Sequence, residues 1–258
     1  MAGIRQVVEH RALQYRRTVR ASLFGSFVSP VMFLAAMGIG LGGYVDRTAT
    51  ASLGAGTYLQ FLAPGLLAAT VMQSAAFEST YPIIGGFLWN RIFVAMAASP
   101  ITPRDVALGS LAWIALRMTA IAIIFTAVLV LFGAASSPLV VLAIPVAVLT
   151  GMAFAGFIGA YAARLSTPDN FSALFRFGIM PLFLLSGTFF PLTGLPPAVQ
   201  ALAWLSPLWH GVSLAWALAL GTALDDPLLA VAHLAVLLAV ALAGGWLMVR
   251  MVRRRLEA

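Results

Sequence analysis

Long stretches without a charged side chain are the feature of this 258-residue sequence that most restricts its fold. A membrane-spanning helix needs about 20 mostly apolar residues in a row. Hydrophobic residues make up 62% of the chain and charged residues 9%, whereas a soluble domain is about a quarter charged. The sequence therefore predicts an all-α polytopic membrane protein. The uncharged stretches are 21–45, 48–77, 118–163, 177–224 and 227–249.

Two of these stretches are too long for a single crossing. The stretch 118–163 contains a cluster of glycine, serine and proline at 133–138, which indicates a turn. The stretch 177–224 is interrupted by Pro191, Pro196, Pro197 and Pro207, and proline ends or bends helices. The sequence predicts six spans, near 22–42, 58–80, 105–132, 139–163, 172–190 and 228–250.

The placement of the arginines predicts the orientation. All 15 basic residues are arginines, and most of them lie close to the two ends of the chain. Positively charged flanks stay in the cytoplasm, so both termini are predicted to be cytoplasmic. The loops 81–104 and 164–171 then fall on the same side. Two cytoplasmic ends agree with an even number of spans.

The segment 1–20 combines arginines with an apolar helical face. At the angular spacing of an α-helix its apolar residues share one side, and Arg11 intrudes on that side. We expect an amphipathic helix that lies in the cytoplasmic headgroup layer. A basic flank that only sets the topology is the alternative.

The composition excludes several kinds of chemistry. Without a lysine the chain cannot form a P-loop, so an ATP-driven role requires a separate subunit. The sequence has no cysteine, and its 3 histidines and 8 acidic residues show no metal-ligand spacing. We expect no catalytic residue, no metal site and no cofactor in this chain. Its net charge of +7 comes from arginines beside spans, so membrane lipid is the expected partner and nucleic acid is not.

An intramembrane hydrolase is a remote alternative. Its nucleophile would be Ser186, with His210 or His233 as the base. The sequence before Ser186 lacks the first glycine of a G-x-S-G element. A serine within a span more often bonds a backbone carbonyl.

Two blocks of sequence carry a resemblance to a known family. The first block contains FESTY (77–81), GGFLWNR (85–91) and ASPITPRDVALG (98–109), and the second contains PLFLLSGTFFPL (181–192), LP (195–196) and SPL (206–208). In order and spacing they resemble the permease subunits of ABC-2 type exporters, especially the branches for nodulation factors (lipo-oligosaccharides) and daunorubicin resistance. The resemblance covers nearly the whole chain, so residues 1–258 are identified as one ABC-2 transmembrane domain.

The resemblance implies elements that the charge pattern alone does not give. It implies a cytoplasmic coupling helix near 86–99, between spans two and three, and two re-entrant helices near 195–220, between spans five and six. The sequence independently supports the second assignment, because residues 191–227 are too apolar for a hydrated loop and too rich in proline for a regular span. The residues expected at the outer gate are Phe189, Phe190, Pro191, Trp204, Trp209 and His210.

The resemblance also implies partners. Permeases of this family work as dimers, here with a second copy or a paralogous permease, together with ATPase subunits that bind ATP and Mg²⁺. It implies a bacterial inner-membrane location. The residues expected to contact the ATPase subunit are Phe87, Leu88, Trp89, Arg91 and Phe93.

One charge lies inside a predicted span and needs a partner. Arg117 falls within the third span, where an arginine costs about 2.5–3.5 kcal/mol unless it pairs or faces water. Glu78, near the end of the second span, is the acidic residue that we expect to pair with it beside an inner cavity. The pair either braces the two spans or meets an anionic headgroup.

These features together predict a membrane subunit that is not an enzyme by itself. We expect a permease that moves an amphiphilic substrate outward, driven by a separate ATPase. The resemblance allows either a lipid-linked saccharide or a hydrophobic drug as cargo. A nucleotide-independent six-span carrier or channel is the alternative function.

Overall fold

The computed structural model describes residues 2–16, 28, 31–42, 56–194 and 196–257. Every regular element within them is a helix, which confirms the predicted all-α fold. The first part of the first predicted span, residues 22–27 and 29–30 of 22–42, lies outside the described residues. Its last part is helical and ends in a π-helix at Ala36–Gly42.

The helices are labelled in chain order. They are α1 (Ala2–Arg16), α2 (Tyr58–Leu88), α3 (Ile92–Ala97), α4 (Pro103–Leu131), α5 (Ala143–Ala162, after a 3-10 turn at Pro138–Leu142), α6 (Asn170–Leu184), α7 (Pro197–Trp204), α8 (Pro207–Leu220) and α9 (Pro227–Glu257).

Four helices among the described residues are long and apolar enough to cross a membrane. They are α2, α4, α5 with its 3-10 turn, and α9, and they lie where the sequence predicts the second, third, fourth and sixth spans. Helices α6 and α8 are apolar but shorter. The count of six spans therefore stays a prediction.

Local sequence signals set the ends of the long helices. Helix α4 starts with a capping box, in which the Thr102 side chain accepts from the Asp105 backbone N–H and the Asp105 carboxylate accepts from the Thr102 backbone N–H. Pro103 occupies its first turn, where the missing N–H costs no hydrogen bond. Helix α2 starts at Thr57, whose hydroxyl accepts from the Gln60 N–H.

Helix α5 lies at the centre of the bundle and contacts α2, α4, α8 and α9. Its glycines allow the close approach of neighbouring helices. A Cβ atom at Gly151 would lie 3.1 Å from Val71 Cγ1 of α2, and one at Gly156 would lie 2.3 Å from the Gly244 backbone of α9. Larger residues at these positions would push the helices apart.

Helix α6 is shorter and less regular than the predicted span 172–190. Its middle, Leu174–Ile179, is π-helical, and the helix ends at Leu184. Pro181 lacks the N–H that an α-helix needs at its position, which agrees with an irregular hydrogen-bond pattern in the turns before it. The chain then turns at Gly187, whose φ of +83° favours glycine.

The segment predicted to re-enter the membrane, 195–220, contains the two helices α7 and α8. Leu195 lies outside the described residues. Helix α8 contacts α2, α5 and α9, and a Cβ atom at Gly211 would lie 2.1 Å from Thr150 Oγ1 of α5. A short apolar helix is thus packed among the long helices, while its insertion into lipid stays a prediction.

Helix α1 packs along the first half of α4. A Cβ atom at Gly3 would lie 2.8 Å from Asp105 Cγ, and one at Gly109 would lie 2.6 Å from Val7 Cβ. Val7 is fully buried. The residue numbers rise together on both helices, so they run parallel. The apolar face that the sequence assigns to the headgroup layer is covered here by protein.

The segment predicted as a coupling helix, 86–99, contains the end of one helix and a second, short helix, while its coupling role stays a prediction. Helix α2 continues to Leu88 and takes up the first part of that range, and the separate helix α3 covers only Ile92–Ala97. Between them Arg91 adopts the left-handed conformation, with φ of 49°, which breaks a helix. The chain therefore bends sharply at this point.

Candidate functional site

The two charges that the sequence places in neighbouring spans lie side by side. Arg117 Nη1 of α4 donates to Glu78 Oε1 of α2, and the two side chains are 17% and 18% exposed. The Arg117 guanidinium also lies 4.5 Å from the centre of the Tyr15 ring, and Tyr15 packs edge-on against Trp113. A carboxylate and an aromatic face together make an arginine tolerable at this depth.

A second arginine, Arg11 of α1, approaches the same carboxylate. Arg11 Nη2 donates to the Pro82 carbonyl oxygen at 3.3 Å, and its guanidinium lies 5.3 Å from the centre of the Phe93 ring. Burial lowers the pKa of Arg11 and the Glu78 carboxylate raises it, while an arginine stays protonated in proteins. The arginine that interrupts the apolar face of α1 therefore connects α1 with α2 and α3.

The five residues expected to contact an ATPase subunit divide into two groups. Phe87 and Phe93 are buried against each other, with ring centres 4.9 Å apart. A Cβ atom at Gly86 would lie 2.5 Å from Phe93 Cε2, so a glycine is required beneath this ring. In this structure neither phenylalanine presents a surface to a partner.

The remaining members of that group lie at or near the surface. Trp89 and Arg91 are exposed and Leu88 is half-buried. Val94, which the sequence did not single out, is also exposed. The bend between α2 and α3 therefore carries an exposed tryptophan and an arginine over a buried aromatic pair. We call Trp89, Arg91 and Val94 the bend surface.

A cavity of about 610 Å³ lies at the opposite end of the bundle. Its size falls in the range of small-molecule sites. Three of the six predicted gate residues line it: Pro191, Trp204 and Trp209. The two tryptophans are stacked, with ring centres 4.7 Å apart. Other lining residues include Phe61 of α2, Gln200 of α7, Trp216 of α8, Asp226 just before α9 and His233 of α9.

The other three gate residues do not line this cavity. Phe189 packs against Phe183 and Phe33. Phe190 is exposed, and His210 is buried behind the cavity wall. The six predicted gate residues therefore do not form one surface, because only three of them line the cavity.

The hydrogen bonds of His210 define its tautomer. Its Nε2 lies 3.0 Å from the Trp204 carbonyl oxygen, and its Nδ1 lies 2.7 Å from Nδ1 of His233. A carbonyl can only accept, so His210 carries its proton on Nε2. In the neutral pair His210 Nδ1 must then accept, and His233 Nδ1 donates.

The same reasoning defines what the cavity offers to a ligand. A neutral His233 with its proton on Nδ1 keeps a lone pair on Nε2. The Asp226 carboxylate, which accepts from the Leu229 N–H, is a second acceptor. No arginine is among the described residues that line the cavity. Trp216 Nε1, a donor without a hydrogen-bond partner in the described part of the chain, belongs to the same lining. The cavity is therefore suited to an uncharged polar group rather than to an anion.

The contacts of Ser186 do not support the hydrolase alternative. Ser186 Oγ donates to the Phe183 carbonyl oxygen at 2.8 Å and lies 2.8 Å from Thr188 Oγ1. The two candidate bases, His210 and His233, bond each other instead. A hydrolase would need the nucleophile within hydrogen-bond reach of its base.

Sequence reasoning missed several of these contacts. The pairing of His210 with His233, two residues on different helices and 23 positions apart, leaves no spacing signal. Arg11 did leave a signal in the sequence, because a charged residue on an apolar helical face needs a partner. Arg255 of α9, which the sequence assigned only to topology, donates to the Ala163 and Leu165 carbonyl oxygens and packs on Phe87.

The bundle of long apolar helices, with an amphipathic helix and a bent junction at one end and an aromatic cavity at the other, defines a multi-pass membrane protein of the transporter class. The chain belongs to the ABC-2 type transporter family, whose model matches residues 3–220. The resemblance given by the two sequence blocks is therefore confirmed. Membership of this family also indicates that the chain is a non-catalytic membrane subunit.

Curated relatives agree with this family. The chain is 32% identical over 202 residues to nodulation protein J of Rhizobium leguminosarum bv. viciae, covering 78% of this chain and 76% of the relative. It is 29% identical over 245 residues to nodulation protein J of Rhizobium meliloti, covering 95% and 90%. It is 28% identical over 159 residues to the inner membrane transport permease YadH of Escherichia coli, covering 61% of each chain.

Proposed function

We propose that this chain is the permease subunit of an ATP-driven exporter that moves an amphiphilic substrate outward. A separate ATPase subunit docks on the bend surface, and a second permease copy or a paralogue completes the pathway. The observation that carries the proposal is the continuous set of contacts from α3 through Arg11 to the Glu78–Arg117 pair.

The bend surface supports the docking of a partner. Trp89 is 59% exposed, and large exposed tryptophans are common anchors of protein interfaces. Arg91 beside it can bond a carboxylate or a backbone carbonyl. The buried pair Phe87 and Phe93 provides a rigid base for these side chains. Because this pair joins α3 to α2, a displacement of α3 also displaces α2.

The contacts inside the bundle support transmission of this displacement to the other helices. Phe93 lies under the Arg11 guanidinium, and Arg11 bonds α2 at Pro82. Close packing and ion pairs shift as units rather than deform gradually. A displacement of α3 therefore moves α1 and α2 together and acts on the ion pair between α2 and α4.

Helix α2 connects this junction with the cavity. Phe61 lines the cavity and Phe87 lies at the bend, and at 1.5 Å per residue they are about 39 Å apart along the helix. A Cβ atom at Gly65 would lie 3.1 Å from Thr188 Cα, beside the cavity wall. Movement of α2 thus reaches the aromatic residues at its other end.

The cavity supports a substrate with an uncharged head group. Hydroxyl or amide N–H donors would bond His233 Nε2 and Asp226, and the faces of Trp204 and Trp209 would cover apolar surface. Two of the relatives named above are nodulation proteins, and the sequence resemblance implies lipid-linked saccharides or hydrophobic drugs. Either cargo joins an apolar part to a polar head.

Replacement of Trp89 by alanine tests the proposal. The matched control is Trp246→Ala, because Trp246 is 62% exposed on α9, away from the bend. With the partner ATPase in proteoliposomes, we expect Trp89→Ala to lower ATPase binding about thirtyfold, a typical loss for an interface anchor, and Trp246→Ala to leave it unchanged. Equal binding by both variants contradicts the docking site. Substrate transport without any ATPase favours the carrier or channel alternative.

A further inference from the structure

A second pocket, of about 450 Å³, lies at the arginine-rich end of the bundle. It forms between the end of α5 and the last turns of α9. Its polar wall consists of Arg164, Ser166, Arg254 and Arg255, and its apolar wall consists of Ala163, Leu165 and Met251. We call it the basic pocket.

Arg255 fixes the shape of the basic pocket. Its Nη1 atom donates to the carbonyl oxygens of Ala163 at 2.9 Å and Leu165 at 2.8 Å, which lie just beyond the end of α5. Its guanidinium also lies 4.4 Å from the centre of the Phe87 ring. Both hydrogen bonds use one nitrogen, so the other guanidinium N–H groups keep donors for a ligand.

The positive charge of the basic pocket is not balanced within the described part of the chain. No acidic residue is among the described residues that line it. Glu257, an acidic residue on the same last turns of α9, accepts from Arg253 Nε at 2.9 and 3.0 Å. Arg164 and Arg254 are exposed at the rim. Three guanidinium groups from segments about 90 residues apart therefore converge without a carboxylate among the residues that line the pocket.

We propose that the basic pocket binds the phosphate of an anionic phospholipid headgroup. Arginines bond phosphate oxygens in pairs and suit this ligand better than any other side chain. The pocket lies where two long apolar helices end, and its apolar wall can cover the glycerol part of a lipid. Basic pockets between membrane helices are known to take acidic headgroups. Because Arg255 touches Phe87, the bound lipid also steadies the junction below the bend surface.

Binding of a fluorescent short-chain phosphatidylglycerol to the full-length chain in detergent micelles tests this proposal. Short-chain phosphatidylcholine is the neutral comparison. Each arginine near an anionic headgroup contributes about a fivefold factor, so Arg164→Gln with Arg254→Gln should weaken phosphatidylglycerol binding about 25-fold. Arg255 is left intact because it holds α9 to α5. The matched control is Arg253→Gln, an exposed arginine on the same helix that pairs with Glu257, and it should bind as the unchanged chain does.

Three results would overturn the proposal. They are equal affinity for the two lipids, equal binding by the double variant and the control, and complete displacement of the lipid by millimolar inorganic phosphate, which would indicate a small-anion site. If the double variant does not fold, the two single variants should each weaken binding about fivefold. The measurement requires neither transport nor the ATPase, so it stands or falls separately from the proposed export function.

Discussion

His210 of α8 and His233 of α9 share one hydrogen bond between their Nδ1 atoms, 2.7 Å apart, beside the cavity. The Trp204 carbonyl holds the proton of His210 on Nε2, so the proton of His233 must lie on Nδ1. The chain has 3 histidines, and nitrogen-15 NMR of histidine-labelled protein can therefore assign each ring. We expect opposite tautomers for His210 and His233 at neutral pH. If the spectra show both His210 and His233 protonated on Nε2, the hydrogen bond between their Nδ1 atoms does not exist.

The same bond predicts a loss of stability on substitution. His233→Ala leaves His210 Nδ1 buried without a donor, which costs about 1–3 kcal/mol of the free energy of unfolding. His10 is the matched control, because its buried Nε2 has no hydrogen-bond partner in the described part of the chain. Thermal unfolding of the protein in nanodiscs measures both variants. A loss no larger for His233→Ala than for His10→Ala would show that the pair does not join α8 to α9.

Charge reversal at Arg117 should destabilise the bundle. Glutamate there would face Glu78 in a site where both side chains are less than one-fifth exposed, and breaking a buried pair costs about 3–5 kcal/mol. The matched control is Arg253→Glu, since that pair is 66% and 50% exposed and contributes about 1 kcal/mol or less. Yield of correctly assembled protein on gel filtration measures the difference.

Exchange of the two charges should restore assembly only in part. An arginine at position 78 would meet Arg11, whose charge the native Glu78 attracts. Adding Arg11→Gln to the exchange should therefore improve the yield further. If Arg117→Ala alone leaves both assembly and export unchanged, the pair has neither a structural nor a functional role.

A methyl group at Gly86 should disturb the bend. Gly86→Ala places a Cβ atom 2.5 Å from Phe93 Cε2, and overpacking of this kind costs about 1–3 kcal/mol. We expect α3 to shift and ATPase stimulation by the permease to fall. Gly245→Ala is the control, because the nearest atom to its Cβ, in Leu111, lies at an ordinary 3.7 Å. Full stimulation by Gly86→Ala would show that the packing of Phe93 does not transmit the signal.

The packing of α1 on α4 can be tested with cysteines, since the chain has none of its own. The pair Gly3→Cys and Asp105→Cys brings two Cβ atoms to about 3.0 Å, close enough for a disulfide after a small adjustment. We expect oxidation in membranes to cross-link this pair. Gly3→Cys with Leu131→Cys, at the exposed far end of α4, should not react. Absence of the first cross-link would favour a helix that lies free in the headgroup layer.

The sequence by itself determined the class of the fold. Uncharged stretches such as 118–163 and 227–249 can satisfy their backbone hydrogen bonds in a membrane only as helices, so α5 and α9 were predictable. The capping box at Thr102 and Asp105 and the prolines in the first turns of α7 and α8 are local signals. The family could also be predicted, because its two sequence blocks, within 77–109 and 181–208, can be identified without the tertiary structure.

Only the tertiary structure decided which side chains meet and which are buried. The sequence placed Glu78 and Arg117 in neighbouring spans and Arg11 on an apolar helical face, but only the packing of α1 on α4 brings Arg11 and Tyr15 to this pair. It treated Phe93 as a surface contact, whereas the bend at Arg91 turns that ring inward. Hydrophobicity is the same for a side chain that faces lipid, a partner or its own core, so composition cannot separate these three. The packing of one helix on another does separate them, because close contact, a hydrogen bond or an ion pair depends on residues far apart in the chain.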